Sequence, residues 1–161
     1  MSAFGLSGQL GILSGESDRY IRTYFERYAG VKRFIESTLT EVRQSGFTRT
    51  LFGRVRPIPD INARNPNARG FAERTAVNTP LQGTAADLMK VAMIRIHREL
   101  QRGLWKSRML LQVHDELVFE VPPEEVERLS SMARQEMQAA VELEVPLVAD
   151  VGSGDNWRDA K

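Results

Sequence analysis

"RMLLQVHDELVFEV", Arg108 to Val121, sets three polar residues between two apolar runs. Met109–Val113 and Leu117–Val121 call for burial, whereas His114, Asp115 and Glu116 resist it. Strand residues alternate faces, and a two-residue link is the commonest join between antiparallel strands. Reading Arg108–His114 and Leu117–Val121 as strands leaves Asp115 and Glu116 at the turn. Leu111 and Val113 then share one side with Leu117, Phe119 and Val121. The acids stand at the tip of a rigid hairpin, near water. Their oxygens suit a hard cation such as Mg²⁺, which keeps several of its own waters. Aspartate is also common in turns, and for an isolated His-Asp-Glu that ordinary reading stays open. A His114–Asp115 proton relay is disfavoured because neighbouring strand residues point apart. Two histidines without a cysteine do not make a zinc site.

Downstream, "PPEEVERLSSMARQEMQAAVEL" reads as an amphipathic helix with Pro123 and two glutamates at its positive end. "VPLVADVG" predicts a short final strand. Upstream, Phe71–Arg102 carries the longest helical pattern, interrupted at Pro80. Thr79 can cap the second part, Pro80 suits its first turn, and Gln82 fits a capping box. Leu81, Ala85, Leu88, Met89, Ala92, Met93 and Ile96 then form one buried face. "FTRTLFGRVRPIPDINARNPNARG", 47–70, predicts a small hairpin turning at Gly53, then an irregular Pro- and Asn-rich loop. From Asp18 apolar residues follow helical spacing, with Gly30 separating two helices and Gly46 ending the second. The first sixteen residues read as short helical turns. The fold class is therefore α+β: long helices packed on a small antiparallel sheet.

With 161 residues, 42% hydrophobic and 27% charged, the chain has one globular domain's worth of sequence. The absence of cysteine excludes disulfides and thiolate metal sites. No apolar run approaches the roughly 20 residues of a membrane span, and no basic n-region marks a secretory signal. A cytoplasmic location is expected. Seven arginines (43, 49, 54, 56, 64, 69, 74) face two acids between Arg43 and Arg74, whereas Asp115–Asp159 is strongly acidic. A basic middle suits an anionic partner, and equally a solvated arginine-rich loop.

"LLQVHDELVFEVP" resembles motif C of the palm in family A DNA polymerases, those similar to bacterial DNA polymerase I. The likeness extends over essentially the whole chain. "TLFGRVRPIPDI" resembles the family's arginine-bearing loop and "AERTAVNTPLQGTAADLMKVAMIRI" its long palm helix. "VGSGDNWRDAK" is similar to its closing segment, and "MSAFGLSGQLGI" to the fingers segment after the nucleotide-binding helix. The resemblance divides the chain into partial fingers helices (1–46), an arginine-rich hairpin and loop (47–70) and a partial palm (71–161).

The resemblance implies that Asp115 is a ligand of the catalytic Mg²⁺ pair and Glu116 a supporting acid. His114 would approach the primer end. Arg74, Asn78 and Gln82 would contact primer and template around the nascent pair, with Arg54 and Arg56 near the duplex backbone. Arginine forks match phosphate oxygens, while Asn and Gln can sense minor-groove atoms shared among base pairs. Structural roles for Asn78 and Gln82, as turn and cap residues, remain open on the residues alone. The implied partners are primer–template DNA and a dNTP, with no membrane. The family's other metal-binding aspartate, in a motif resembling "DYSQIELR", has no counterpart here, nor has the triphosphate-binding helix. The expectation is therefore a polymerase's last part, lacking its N-terminal part and inactive alone. A non-catalytic nucleic-acid-binding remnant and a purely structural interaction domain are the rival readings.

Overall fold

The computed structural model describes residues 2–160. It is mostly helical, with two separate two-stranded antiparallel sheets. The chain forms two compact units: the part up to Arg49 together with Val55–Pro80, and Thr50–Arg54 together with the part from Leu81 onward.

In the first unit, helix α1 spans Ala3–Leu10. The Ser2 hydroxyl accepts the Gly5 N–H at its start, and Gly11 ends it at φ 66°. Helix α2 covers Ser14–Arg27 and α3 covers Ala29–Ser45. Their break falls at Tyr28, not at Gly30, which lies in the first turn of α3. No glycine is required, because Tyr28 keeps φ at −109°. Gly46 does end α3, at φ 78°.

Strands β1 (Phe47–Arg49) and β2 (Val55–Pro57) pair as the expected hairpin, and Gly53 turns with φ 81°. The loop expected up to residue 70 is shorter than predicted. Asn65 accepts the N–H groups of Asn67 and Ala68, Pro66 takes the first turn, and helix α4 runs Pro66–Asn78. Small Ala72 and Ala76, four apart on α4, bury against Val42 of α3 with Ile58 and Ile61. An Arg43–Glu73 ion pair of 2.8 Å spans α3 and α4.

Pro80 does not start a new helix. Thr79–Gly83 forms a π-helical turn, which α5, Thr84–Arg102, follows in sequence. Thr79 is helical itself (φ −61°, ψ −44°) and its hydroxyl donates back to the Thr75 carbonyl at 2.7 Å. The capping box is thus absent. Proline has no N–H for the carbonyl four residues back, Ala76; the buried Thr48 hydroxyl donates to that oxygen instead, at 3.3 Å. A hydroxyl brought from β1 thus meets a carbonyl that proline leaves without its usual helical donor.

In the second unit, α5 packs on α6, Val126–Gln138. Met89, Ala92 and Ile96 bury with Leu129 and Ala133. Leu81 and Ala85, expected on that face, are exposed; residue 81 lies in the wide π turn, off the α5 stripe, and Ala85 is in the first turn of α5. Strands β3 (Arg108–Val113) and β4 (Glu116–Glu120) form the second hairpin. The predicted final strand is not formed: among the described residues none after Gln138 joins a ladder, and Val145 and Val148 are exposed. Two alternating valines do not make a strand without a neighbouring edge to pair with.

Candidate functional site

The β3–β4 register decides what the hairpin tip presents. Val113 pairs with Glu116, Gln112 with Leu117, and Leu111 with Val118; after a bulge at Leu110, Met109 pairs with Phe119. Directly opposed residues share a face, so Leu111 and Val113 stand with Val118 and Glu116. The expected grouping with Leu117 and Phe119 is therefore wrong by one residue. The turn is likewise His114–Asp115, not Asp115–Glu116, and Glu116 opens β4.

His114 has φ 54°, the one positive-φ residue other than glycine among those described. Positive φ at the first central residue of a two-residue link is the type II′ pattern, where glycine is usual. A side chain there costs about 1–2 kcal/mol. Such strain concentrates at functional sites, where something else fixes the residue's identity. The Gln112 amide donates to the His114 carbonyl at 2.7 Å and steadies the turn.

Asp115 is exposed at the apex and, among the described residues, its carboxylate has no hydrogen bond or ion pair. Both oxygens are open to an outside ligand. Glu116 is half-buried, and its Oε2 accepts the Trp157 indole N–H at 3.2 Å. Trp157 is 43% exposed, and its polar N–H edge rather than burial ties it to the hairpin. No group of three or more His, Asp or Glu able to hold a metal exists among the described residues. A lone open carboxylate fits one side of a Mg²⁺ site, since that ion takes few protein oxygens and retains water.

Arg74 and Asn78, four apart on α4, are exposed and without side-chain partners among the described residues. Gln82 is also exposed and unpartnered, within the π turn, a distortion frequent at functional sites. Arg54 is committed in part: its Nε meets Asp87 at 2.9 Å and its Nη2 donates to the Gly83 carbonyl at 3.1 Å. Three of its five N–H groups remain for another ligand. Arg56 donates to the Thr79 hydroxyl at 3.3 Å. Sequence reasoning overlooked Asp87, whose mostly buried carboxylate pairs with Arg54. Its place at the start of α5 was the available signal, although the partner lies 33 residues earlier.

Another overlooked carboxylate anchors the base of the hairpin. Glu125 is buried and accepts the backbone N–H groups of Lys106 (3.0 Å) and Ser107 (2.9 Å) and the Ser107 hydroxyl. The Ser107 hydroxyl, then the Lys106 N–H, hold its carboxyl below the usual glutamate range. The acid expected to serve the α6 dipole ties the chain entering β3 to the start of α6.

The family model for DNA polymerase family A matches residues 1–159. DNA polymerase I of Streptococcus pneumoniae serotype 4 is 50% identical over the whole chain, which covers 18% of that relative. The Bacillus subtilis DNA polymerase I is 48% identical, again with 18% covered, and the thermostable Thermus thermophilus enzyme 50% identical with 19% covered. The chain thus spans about a fifth of these relatives' length. Among solved structures, the POL domain of Pol1 from M. smegmatis, in complex with DNA primer–template and dNTP, matches with a TM-score of 0.95 at 42% identity. That match covers 99% of this chain and 28% of that one.

Proposed function

Because the chain belongs to DNA polymerase family A, we propose that these residues form the motif C side of a DNA-directed DNA polymerase active site. The reaction is template-directed transfer of a nucleotide from a dNTP to a primer 3′-hydroxyl, releasing pyrophosphate. Residues 1–46 serve as part of the fingers, 47–70 as an arginine-rich hairpin and loop, and 71–161 as part of the palm. The observation supporting this most is the exposed, unpartnered Asp115 carboxylate at a strained hairpin apex. Asp115 would hold Mg²⁺, with Glu116 as the supporting acid. When bound, Mg²⁺ supplies charge neutralisation for the attacking and leaving oxygens.

The chain's own residues orient the DNA. His114 lies against the primer end. Arg74, Asn78 and Gln82 offer unpaired donors and acceptors to the nascent base pair and its strands. Contacts to shared minor-groove atoms test pair shape without reading sequence, as copying demands. Arg56 and the free edge of Arg54 reach the duplex phosphates. A neighbour solved with primer–template and dNTP supports this choice of partners.

Among the described residues no acids gather with Asp115 into a metal-holding group, and a two-metal site needs acids on both sides, so primer extension by the 161-residue chain alone is not expected. The test is primer extension by a full-length polymerase carrying these residues. Asp115→Ala lowers extension by more than about a hundredfold while primer–template affinity stays within about threefold. Activity retained within about tenfold overturns the assignment. Salt-sensitive DNA binding by a polymerase indifferent to Asp115→Ala favours a non-catalytic nucleic-acid-binding role for the arginine-rich segment instead.

A further inference from the structure

The segment Gly152–Ala160 is built around close backbone approach. A Cβ on Gly152 would collide with the carbonyl of Ala160, and one on Gly154 would lie 2.8 Å from the Asp159 carbonyl carbon. Both neighbours are backbone and cannot swing aside. Asn156 shapes the turn above them: its side-chain oxygen accepts the N–H groups of Arg158 (3.1 Å) and Asp159 (3.2 Å). Its backbone carbonyl accepts those of Asp159 and Ala160. The turn projects Trp157, whose indole N–H meets Glu116 Oε2 at 3.2 Å across 41 residues of sequence.

We infer that Trp157 is a positioning residue for the Glu116 carboxylate, and that Gly152 and Gly154 exist to let its turn pack closely enough to reach. This rests on the proposed role of the Asp115–Glu116 pair. A carboxylate beside a cation-binding aspartate has several rotamers, and only some direct its charge toward the site. An indole N–H donates and never accepts, so it fixes one oxygen without competing for the proton or the metal. The large ring also has few rotamers, so the bond is made at low entropic cost.

Two measurements test this. In the 161-residue chain labelled with ¹⁵N, the indole signals of Trp105 and Trp157 are distinguished by Trp157→Phe. Glu116→Ala should move the Trp157 indole signal toward that of a free indole and leave Trp105 in place. An unmoved Trp157 signal overturns the contact. In a full-length polymerase carrying these residues, Trp157→Phe should lower kcat about threefold to tenfold, the worth of one hydrogen bond, with KM for the nucleotide unchanged. That loss should vanish in a Glu116→Ala background. Equal losses in both backgrounds, or none in either, overturn the positioning role. Full activity of Glu116→Ala alone would instead show that Glu116 has no part in the site, a failure of the function proposed above.

Discussion

Val113 stands directly opposite Glu116 in the β3–β4 ladder, and this pairing leaves only His114 and Asp115 to make the turn. The consequence is an asymmetry between adjacent acids. Asp115 projects from the apex with no partner for either oxygen among the described residues, while Glu116 sits in the ladder with one oxygen on Trp157. One register thus places two neighbouring carboxylates differently, in keeping with the proposed roles of Asp115 as the metal-binding acid and Glu116 as its support.

Glu125 makes stability depend on acid. Its carboxyl is held below the usual glutamate value by the Ser107 hydroxyl and the Lys106 N–H, so its contribution is present near neutrality. It is lost as pH falls through the lowered folded value. Glu125→Gln should lower the urea midpoint at pH 7, because its amide presents donors to donors. The gap from wild type should narrow below pH 4. A gap that is constant with pH contradicts the ionised clamp.

Thr48 replaces the hydrogen bond that Pro80 cannot make to Ala76. Thr48→Val keeps the shape and removes the donor, leaving a buried carbonyl unsatisfied. The expected loss is about 1–3 kcal/mol by denaturant unfolding. An unchanged midpoint would mean that the π turn does not depend on β1.

Arg74 makes no ion pair or hydrogen bond among the described residues, so Arg74→Ala should leave stability within about 0.5 kcal/mol. In a full-length polymerase it should weaken primer extension, alter mismatch discrimination, and reduce the salt slope of DNA binding by about one. Unchanged fidelity and salt slope remove Arg74 from the interface.

How much of this the sequence made legible depended on whether the deciding partner was local. The β3–β4 hairpin was readable because apolar runs flank a polar centre. Its register was not, because "LVF" at 117–119 is apolar on both faces and a bulge at Leu110 shifts the alternation. "TPLQ" reads as a helix start by every local rule, and a hydroxyl 28 residues away overrides them. The partnerships of Glu125 with Ser107, Arg54 with Asp87 and Glu116 with Trp157 are likewise non-local. Asp115 is legible from the hairpin itself as an acid held near water, whereas Arg74, Asn78 and Gln82 are reached only through the resemblance; all four are exposed and without a side-chain partner among the described residues.

The most direct measurement is anomalous diffraction from a full-length polymerase carrying these residues, crystallised with primer–template, dNTP and Mn²⁺ in place of Mg²⁺. The account predicts an anomalous peak about 2.1 Å from an Asp115 carboxylate oxygen, beside the primer end. Well-ordered Mn²⁺ ions at the primer end with Asp115 turned away into solvent would contradict it.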